Sequence, residues 1–586
     1  MLLSRPVSAE PASERATPLP DDTVMRSLSR LGPAVCLAAI VALFVAQATS
    51  YWAYVNDDAF ITFRYSAQLV RGNGPYYNPG EHVEGYTNLL SMLIAATAMA
   101  FGGAEAGPWV AKALGVVAGA LCVVLAFLLA QRVWPRGRSQ GRPVAGLLAA
   151  GLVAVSPGFA LNSTSGLETT LYAACLTGGV LLALRDRGTR AGEPRSSWRR
   201  FGGWLPVSGI VCALAGLARP EGFILFATLW TARAAVLLGS GWRTFWHQAR
   251  AAGLIADMLV VVLVFAAQIA FRYFAYDGEL LPNTFYAKIG GFGGVDAWTY
   301  VRRGALGPVL GLAGLALGLA GLALGRARWT VAVPLLVVSL CGAGEPLWAA
   351  TDWMLGWRLT APYLPLLAPW VAVGWGLLAS APRPLARLGA LLALAMLPLL
   401  WVASDDERQT LQESTMVRNL GYLTGHRALG RWLQATAQPG ETVALMDIGI
   451  VGFTAIDQRI LDLTGLTDRH IAKSPGGFLN KTYDPMYVLG QKPRYIVAVL
   501  SAPGRSYEKP APGVAFHAWT AIEARILTHP EFERWYSRRR APEPDAVWPQ
   551  DLAAAIGAER VFEHAHPGVH YLLAVFRRNE RTTVDD

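Results

Sequence analysis

Two adjacent carboxylates, Asp57 and Asp58, open the segment "NDDAFITFRY" (56–65), directly after the apolar run "LGPAVCLAAIVALFVAQATSYW". One member of such a pair can take the proton of an attacking hydroxyl while the other orients the reacting partners. Three cations stand in this and two other polar segments: Arg64, Lys288 and Arg358. Arginine grips a phosphate through parallel N–H bonds, and lysine meets it as a point charge. A phosphate that leaves as a stable anion needs such cations more than a protonating acid. The other polar groups come in short clusters. "YNPGEHVEGYTN" (77–88) brings Tyr77, Asn78, Glu81, His82, Glu84 and Tyr86. "SGLET" (165–169) brings Glu168, "ARPEG" (218–222) Glu221, "YDGELLPNTFYAK" (276–288) Asn283, and "ATDWMLGWRLTAP" (350–362) Asp352 and Trp353. Carboxylates and amides of this kind suit sugar hydroxyls; Tyr and Trp suit sugar faces or a membrane interface.

Composition names what must position these scattered segments. Of 586 residues, 53% are hydrophobic and only 16% charged, where a soluble chain carries roughly 25% charged residues. Apolar runs of membrane-crossing length recur as far as residue 404. The expected fold is mostly α, a polytopic helical membrane protein with about 11 spans. Those spans are 31–50, 108–133, 143–160, 168–184, 203–218, 221–239, 253–274, 305–324, 330–346, 361–380 and 388–404. Arg-rich loops at 131–142, 185–200, 241–250, 325–329 and 381–389 belong on the cytoplasmic side by the positive-inside rule. All the clusters named above then share the outer face. The apolar stretch 89–101 is too short to span and fits a re-entrant or interfacial helix within the first outer loop, 51–107. Residues 1–30, rich in Pro, Ser and Arg, read as a disordered cytoplasmic tail, and the run after it as an uncleaved anchor. Past the membrane domain (31–404), residues 405–586 change grammar. "HRALGRWLQATA" (426–437) has helical spacing, and 441–447, 458–465, 493–501 and 569–578 read as short strands. These form a small α/β periplasmic domain, set off by the polar segment 404–415.

Several functions fit poorly. The net charge of +10 is spread over short loops between apolar runs, so no nucleic-acid partner is expected. The five cysteines, Cys36, Cys122, Cys175, Cys212 and Cys341, lie in apolar segments, which leaves no CxxC site. "HAHPGVH" (564–570) lacks a helical register and a nearby Cys, so no metal site is expected. A transporter would carry ionisable groups at mid-membrane; here they gather at loop ends. A lipid-glycan ligase would also place its cavity outside, and a scaffold would tolerate Asn at positions 57 and 58. Converging outer loops best suit an enzyme whose lipid-borne substrate keeps its tail in the bilayer.

In one order along the chain stand "DDAFITFRYSAQLVRGNGPYYNPGEHVEGYTN", "SGLET", "LARPEG", "LPNTFYAK", "DWMLGWRLTAPYLP" and "DLTGLTD". Together they resemble the mycobacterial terminal arabinofuranosyltransferase family of GT-C fold glycosyltransferases, and the bacterial pilin arabinosyltransferases. The resemblance covers roughly residues 50 to 480. It implies a polyprenyl-phosphate sugar donor, such as decaprenyl-phosphoryl arabinofuranose, and a glycan or glycoprotein acceptor on the periplasmic face of a bacterial inner membrane. It also implies that an acid of the first outer loop, Asp57 or Asp58, is catalytic. The family's two glycines before the acid of the late motif are replaced here by Ala350 and Thr351. With no nucleotide in such a donor, no cofactor is required, though the reading leaves room for an accessory divalent cation.

Overall fold

The computed structural model describes residues 21–135, 141–184, 206–239, 241–242, 245–246, 253–289, 296–306, 329–349, 351–379, 395–503, 517–536, 553, 556–566 and 568–579. The helices of the first part are α1 (Asp21–Ser50), α2 (Asp57–Val70), α3 (Leu89–Gly102), α4 (Ala106–Val133), α5 (Arg142–Ala154), α6 (Pro157–Thr164), α7 (Thr169–Ala183), α8 (Val207–Ala218), α9 (Glu221–Leu238), α10 (Leu254–Ala275), α11 (Asn283–Lys288), α12 (Trp329–Ala343) and α13 (Leu364–Ala379). Among the described residues, four are long and apolar enough to cross a membrane: α1 from Gly32, α4, α9 and α10. The bent pair α5–α6 makes a fifth if it is one span.

The count of about 11 spans is thus not confirmed among the described residues. The reasons are local. The expected span 143–160 breaks by 62° between α5 and α6, where Ser156 caps a new helix that begins at Pro157. Proline suits a first turn and cannot continue the helix before it. The apolar stretches at α7, α8 and α12 form helices of 15, 12 and 15 residues. Of the expected span 305–324 all but 305–306 lies outside the described residues, as do 388–394 of the span 388–404 and the Arg-rich loops 185–200 and 381–389. The stretch 89–101 is helix α3, 14 residues long and packed on α2 and α4. Helix α1 begins at Asp21, inside the segment expected to be a disordered tail.

The chain after residue 404 forms α14 (Asp405–Gly421), α15 (Ala428–Thr436), α16 (Ile448–Thr454) and a sheet. Its strands are β1 (Thr442–Leu445), β2 (Arg459–Asp462), β3 (Tyr495–Pro503), β4 (His517–Ala518), β5 (Arg560–His566) and β6 (Val569–Arg577). Their order is β2-β1-β3-β6-β5, with β4 beside β3. β1 pairs in parallel with β2 and β3, while β3–β6 and β6–β5 are antiparallel. The central strand β3 is almost wholly apolar and buried on both faces, as a middle strand covered on both sides must be.

This sheet is not set off from the membrane part. The polar segment 404–415 is the start of helix α14. Leu411, Tyr422, Ile450 and Phe453 join the same apolar core as Phe44, Phe159 and Trp370 of the membrane helices. Helix α2 is the join. Asn56 caps it by accepting the Asp58 backbone N–H at 3.0 Å, and Asp57 and Asp58 sit favourably against the positive end of its dipole. Its Phe60 and Phe63 pack on Phe453 of α16, while Ile61 and Tyr65 join the core under the sheet.

Candidate active site

A cavity of about 1200 Å³ lies beside the start of α2. Asp58, Ile61 and Thr62 of α2, the loop 85–88, Glu168, Arg219 and Glu221 line it, with Lys288 at the end of α11 and the segment 351–359. It continues along an apolar wall of Phe223, Phe226, Trp230, Val261 and Phe265, from α9 and α10. Leu466 and Phe478 reach it from the C-terminal region.

Asp58 is the cavity's carboxylate on α2. Its side chain makes no hydrogen bond or ion pair among the described residues. Burial pushes its pKa above the ordinary aspartate value, while Lys288 and Arg358 pull the other way. The Lys288 ammonium likewise has no hydrogen-bonded or ion-pair partner among the described residues, and the Phe478 ring centroid lies 5.8 Å away. Burial lowers its pKa, and Asp58 opposes that. Arg358 is held by Glu168 at 3.1 Å and Asp352 at 3.7 Å. Asp352 in turn accepts the Tyr300 hydroxyl at 2.8 Å. Burial pushes the Glu168 carboxyl up, but Arg358 and Arg219 outweigh it and hold it below the ordinary glutamate value. Asn88 donates to the same carboxylate at 2.8 Å. Glu221 lies 3.6 Å from Arg219, whose Nη2 meets Glu345 at 3.2 Å. Tyr86 and Trp353 complete the lining; Arg418 covers the Trp353 ring at 5.2 Å.

The sequence reading placed more residues here than the structure brings. Asp57 does not line the cavity. Its carboxylate accepts the backbone N–H groups of Ile450 at 2.7 Å and Gly449 at 3.2 Å, at the start of α16. Burial pushes its pKa up to about 6, with His426 opposing. Each residue step along a helix turns by about 100°, so neighbours in sequence face different partners. Arg64 is fully buried elsewhere: its guanidinium donates to the carbonyls of Tyr77 (2.8 Å), Gln458 (2.7 Å), Ala455 (3.1 Å) and Gly452. Its Nη2 also donates to Asn78 Oδ1 at 3.3 Å, so none of the five N–H donors is left to carry a phosphate there. Tyr77 donates to the Ile448 carbonyl, and Asn78 pairs with both backbone groups of Ile460, at 2.8 and 3.0 Å. Glu81 pairs with Arg459 at 2.6 Å, and His82 with Asp277 at 2.8 Å. Asn283 donates to the carbonyls of Gly465 and Leu466 at 2.8 and 3.0 Å. All of these but His82, which ties two outer loops to each other, fasten the outer loops to the sheet domain. Glu84 pairs with Arg272 of α10 at 2.7 Å and stands behind the cavity wall; burial pushes its carboxyl up to about 7.

Sequence reasoning missed Asn88, Arg219, Arg272, Glu345, Leu466 and Phe478. Arg272 offered a signal, since a charge inside an apolar run is costly and marks a purpose. Phe478 offered none. Among the described residues no group of three His, Cys, Asp or Glu side chains is placed to hold a metal ion. His564, His566 and His570 lie on the β5–β6 hairpin, and His564 packs against His426 with ring centroids 4.7 Å apart.

Comparison with known proteins bears on this architecture. The apo structure of ArnT from Cupriavidus metallidurans superposes with a TM-score of 0.50 at 12% identity, covering 80% of this chain and 93% of that one. The archaeal oligosaccharyltransferase AglB from Archaeoglobus fulgidus, in complex with an inhibitory peptide and a dolichol-phosphate, gives 0.51 at 12% identity, covering 84% and 75%. The chain shares the fold of these structures, the GT-C fold. The terminal beta-(1->2)-arabinofuranosyltransferase of Mycobacterium tuberculosis is 30% identical over 240 residues, a match spanning 40% of this chain and 35% of that protein. Within this GT-C chain, residues 410–545 match a domain of unknown function, DUF8728. Its apolar helices and membrane-protein relatives make it a multi-pass membrane protein.

Proposed function

We propose that the chain is a glycosyltransferase that moves a pentose, arabinofuranose before others, from a polyprenyl-phosphate donor to a glycan or protein acceptor. The observation that carries the reading is one cavity in which Asp58 and Lys288 both stand unpaired among the described residues, continuous with an apolar wall on α9 and α10. The wall suits the first isoprene units of a lipid. The phosphate would lie against Lys288 and Arg358. Asp58 takes the proton of the acceptor hydroxyl as its oxygen bonds to the anomeric carbon. The bond from that carbon to the phosphate oxygen breaks, and its electron pair leaves with the lipid phosphate, whose charge the two cations meet. Glu168 and Asp352 fix the Arg358 fork, so little rotamer freedom is lost on binding. The dolichol-phosphate on the AglB structure of like fold supports a lipid-phosphate ligand of this kind. The partial likeness to the arabinofuranosyltransferase supports the sugar. The positive-inside rule supports a cytoplasmic N-terminus and a cavity on the periplasmic side of a bacterial inner membrane.

Thr351 lines the cavity where the resembling family has glycine. That favours, as second reading, a donor with another sugar such as mannose or aminoarabinose. The test is release of polyprenyl phosphate by the purified protein in nanodiscs, given polyprenyl-phosphoryl arabinofuranose with and without an alkyl arabinoside acceptor. Acceptor-dependent release that disappears in a folded Asp58→Asn variant supports the proposal. Release only with a different polyprenyl-phosphate sugar moves it to the second reading. No consumption of any such donor, or full activity in Asp58→Asn, overturns it.

A further inference from the structure

The cavity is open to two kinds of neighbour. One wall comes from membrane helices α9 and α10, and the opposite contribution, Leu466 and Phe478, comes from the sheet domain. The apolar wall suits a lipid-borne donor, and the sheet domain supplies the remaining apolar contacts. Phe478, half-buried on the loop "SPGGFLNK" (474–481), packs with Leu479 on the apolar core under the sheet and also lines the cavity.

The loop around it is built at a cost. Gly476 has φ +105°, and a Cβ there would stand 2.1 Å from the Asn480 carbonyl oxygen. Leu479 holds φ +65°, a conformation that costs a non-glycine residue about 1–2 kcal/mol. Lys481 is buried, and its ammonium donates to the carbonyls of Ala472 (2.9 Å), Tyr286 (3.1 Å) and Ser474 (3.3 Å). A buried ammonium is tolerated only when so satisfied. Tyr286 belongs to α11, the helix that ends in Lys288. The clamp therefore ties the loop to the helix of the cavity's free cation, and sets the Phe478 ring over that cation.

We propose that Phe478 is a specificity-determining residue of the reaction proposed above. It forms part of the cavity wall on the sheet-domain side and covers one side of the Lys288 ammonium, limiting the approach of water to the phosphate held there. An acceptor hydroxyl then meets the donor in preference to a water molecule. The inference rests on the glycosyltransferase reading, and its experiment separates the two. Phe478→Ala, Phe478→Leu and Phe478→Trp are compared with wild type for acceptor KM, for donor hydrolysis without acceptor, and for binding of polyprenyl phosphate alone. Lys288 labelling by a small water-soluble acylating reagent is followed by mass spectrometry. Losing the ring raises acceptor KM about fivefold, the scale of one aromatic packing contact. Hydrolysis rises relative to transfer, and Lys288 labelling quickens. Polyprenyl-phosphate binding stays within about twofold, below one aromatic contact, and Trp restores the wild-type ratio. Leu keeps the volume without the ring and serves if Ala fails to fold. An unchanged transfer-to-hydrolysis ratio, or a Trp variant that behaves as Ala does, overturns the proposal. If wild type consumes no polyprenyl-phosphate sugar, the functional reading falls first. Lys288 labelling then still decides, and an unchanged rate in Phe478→Ala overturns the shielding.

Discussion

Asp57 and Asp58 share a backbone and little else. The first accepts two buried N–H groups of α16; the second faces an open cavity with its oxygens unclaimed among the described residues. Their substitutions should therefore fail differently. Asp58→Asn should lower transfer by about 10²–10⁴-fold, the usual worth of a general base, with melting temperature unchanged. Asp57→Ala should leave two buried donors unsatisfied and lose about 1–3 kcal/mol of stability, read as an earlier thermal transition. The pH profile tests Asp58 further. A general base works only when ionised, so activity falls as pH drops through its pKa. Burial raises that pKa, and Lys288 is the strongest opposing charge. The acidic limb of kcat/KM should lie above the free-aspartate value of about 3.9. In Lys288→Met it should move higher still, because the charge favouring the anion is gone. A limb that moves down in that variant would count against Asp58 as the base.

At the scale of elements, α2 acts as a peg between two cores, and Arg64 locks it. A planar guanidinium can serve four carbonyls at once, whereas an ammonium has three donors on one atom. Arg64→Lys should cost about 3 kcal/mol, the upper range for hydrogen bonds to a charged group. It should expose the α2–α16 contact to limited proteolysis, while a protein as stable as wild type would show that the fork is not needed. This lock also marks what was legible beforehand. The strands β1, β2, β3 and β6 stood out as short β-branched runs between turn residues. The outer-loop motifs carried the cavity's Asp58, Lys288, Glu168, Asp352 and Arg358. Arg64 was misread because a cation in a polar motif looks the same whether carbonyls or a phosphate await it. Asn78 and Asn283 were misread for the same reason: their partners are backbone groups nearly 200 residues or more away in sequence. The span count is not confirmed among the described residues, in part because proline and serine break apolar runs that hydropathy alone joins, as at Ser156–Pro157.

For the whole molecule, the question is whether the membrane part can act without residues 405–586. The two parts share one apolar core through Ile450 and Phe453. The first outer loop spends Asp57, Arg64, Tyr77 and Asn78 on the sheet domain. Without that domain, a buried guanidinium, a carboxylate and an amide lose their partners together, each loss being costly in a low-dielectric interior. The cavity also loses Leu466 and Phe478. A chain ending at residue 404 should thus insert into membranes yet consume no polyprenyl-phosphate sugar, and its first outer loop should be cut by protease far faster than in the full chain. Adding residues 405–586 as a separate polypeptide should restore part of both properties if docking of α2 is what the domain supplies. A truncated chain with wild-type turnover would mean that α2 holds Asp58 in place by its membrane contacts alone. The network of Asp57 and Arg64 would then serve only to carry the sheet domain.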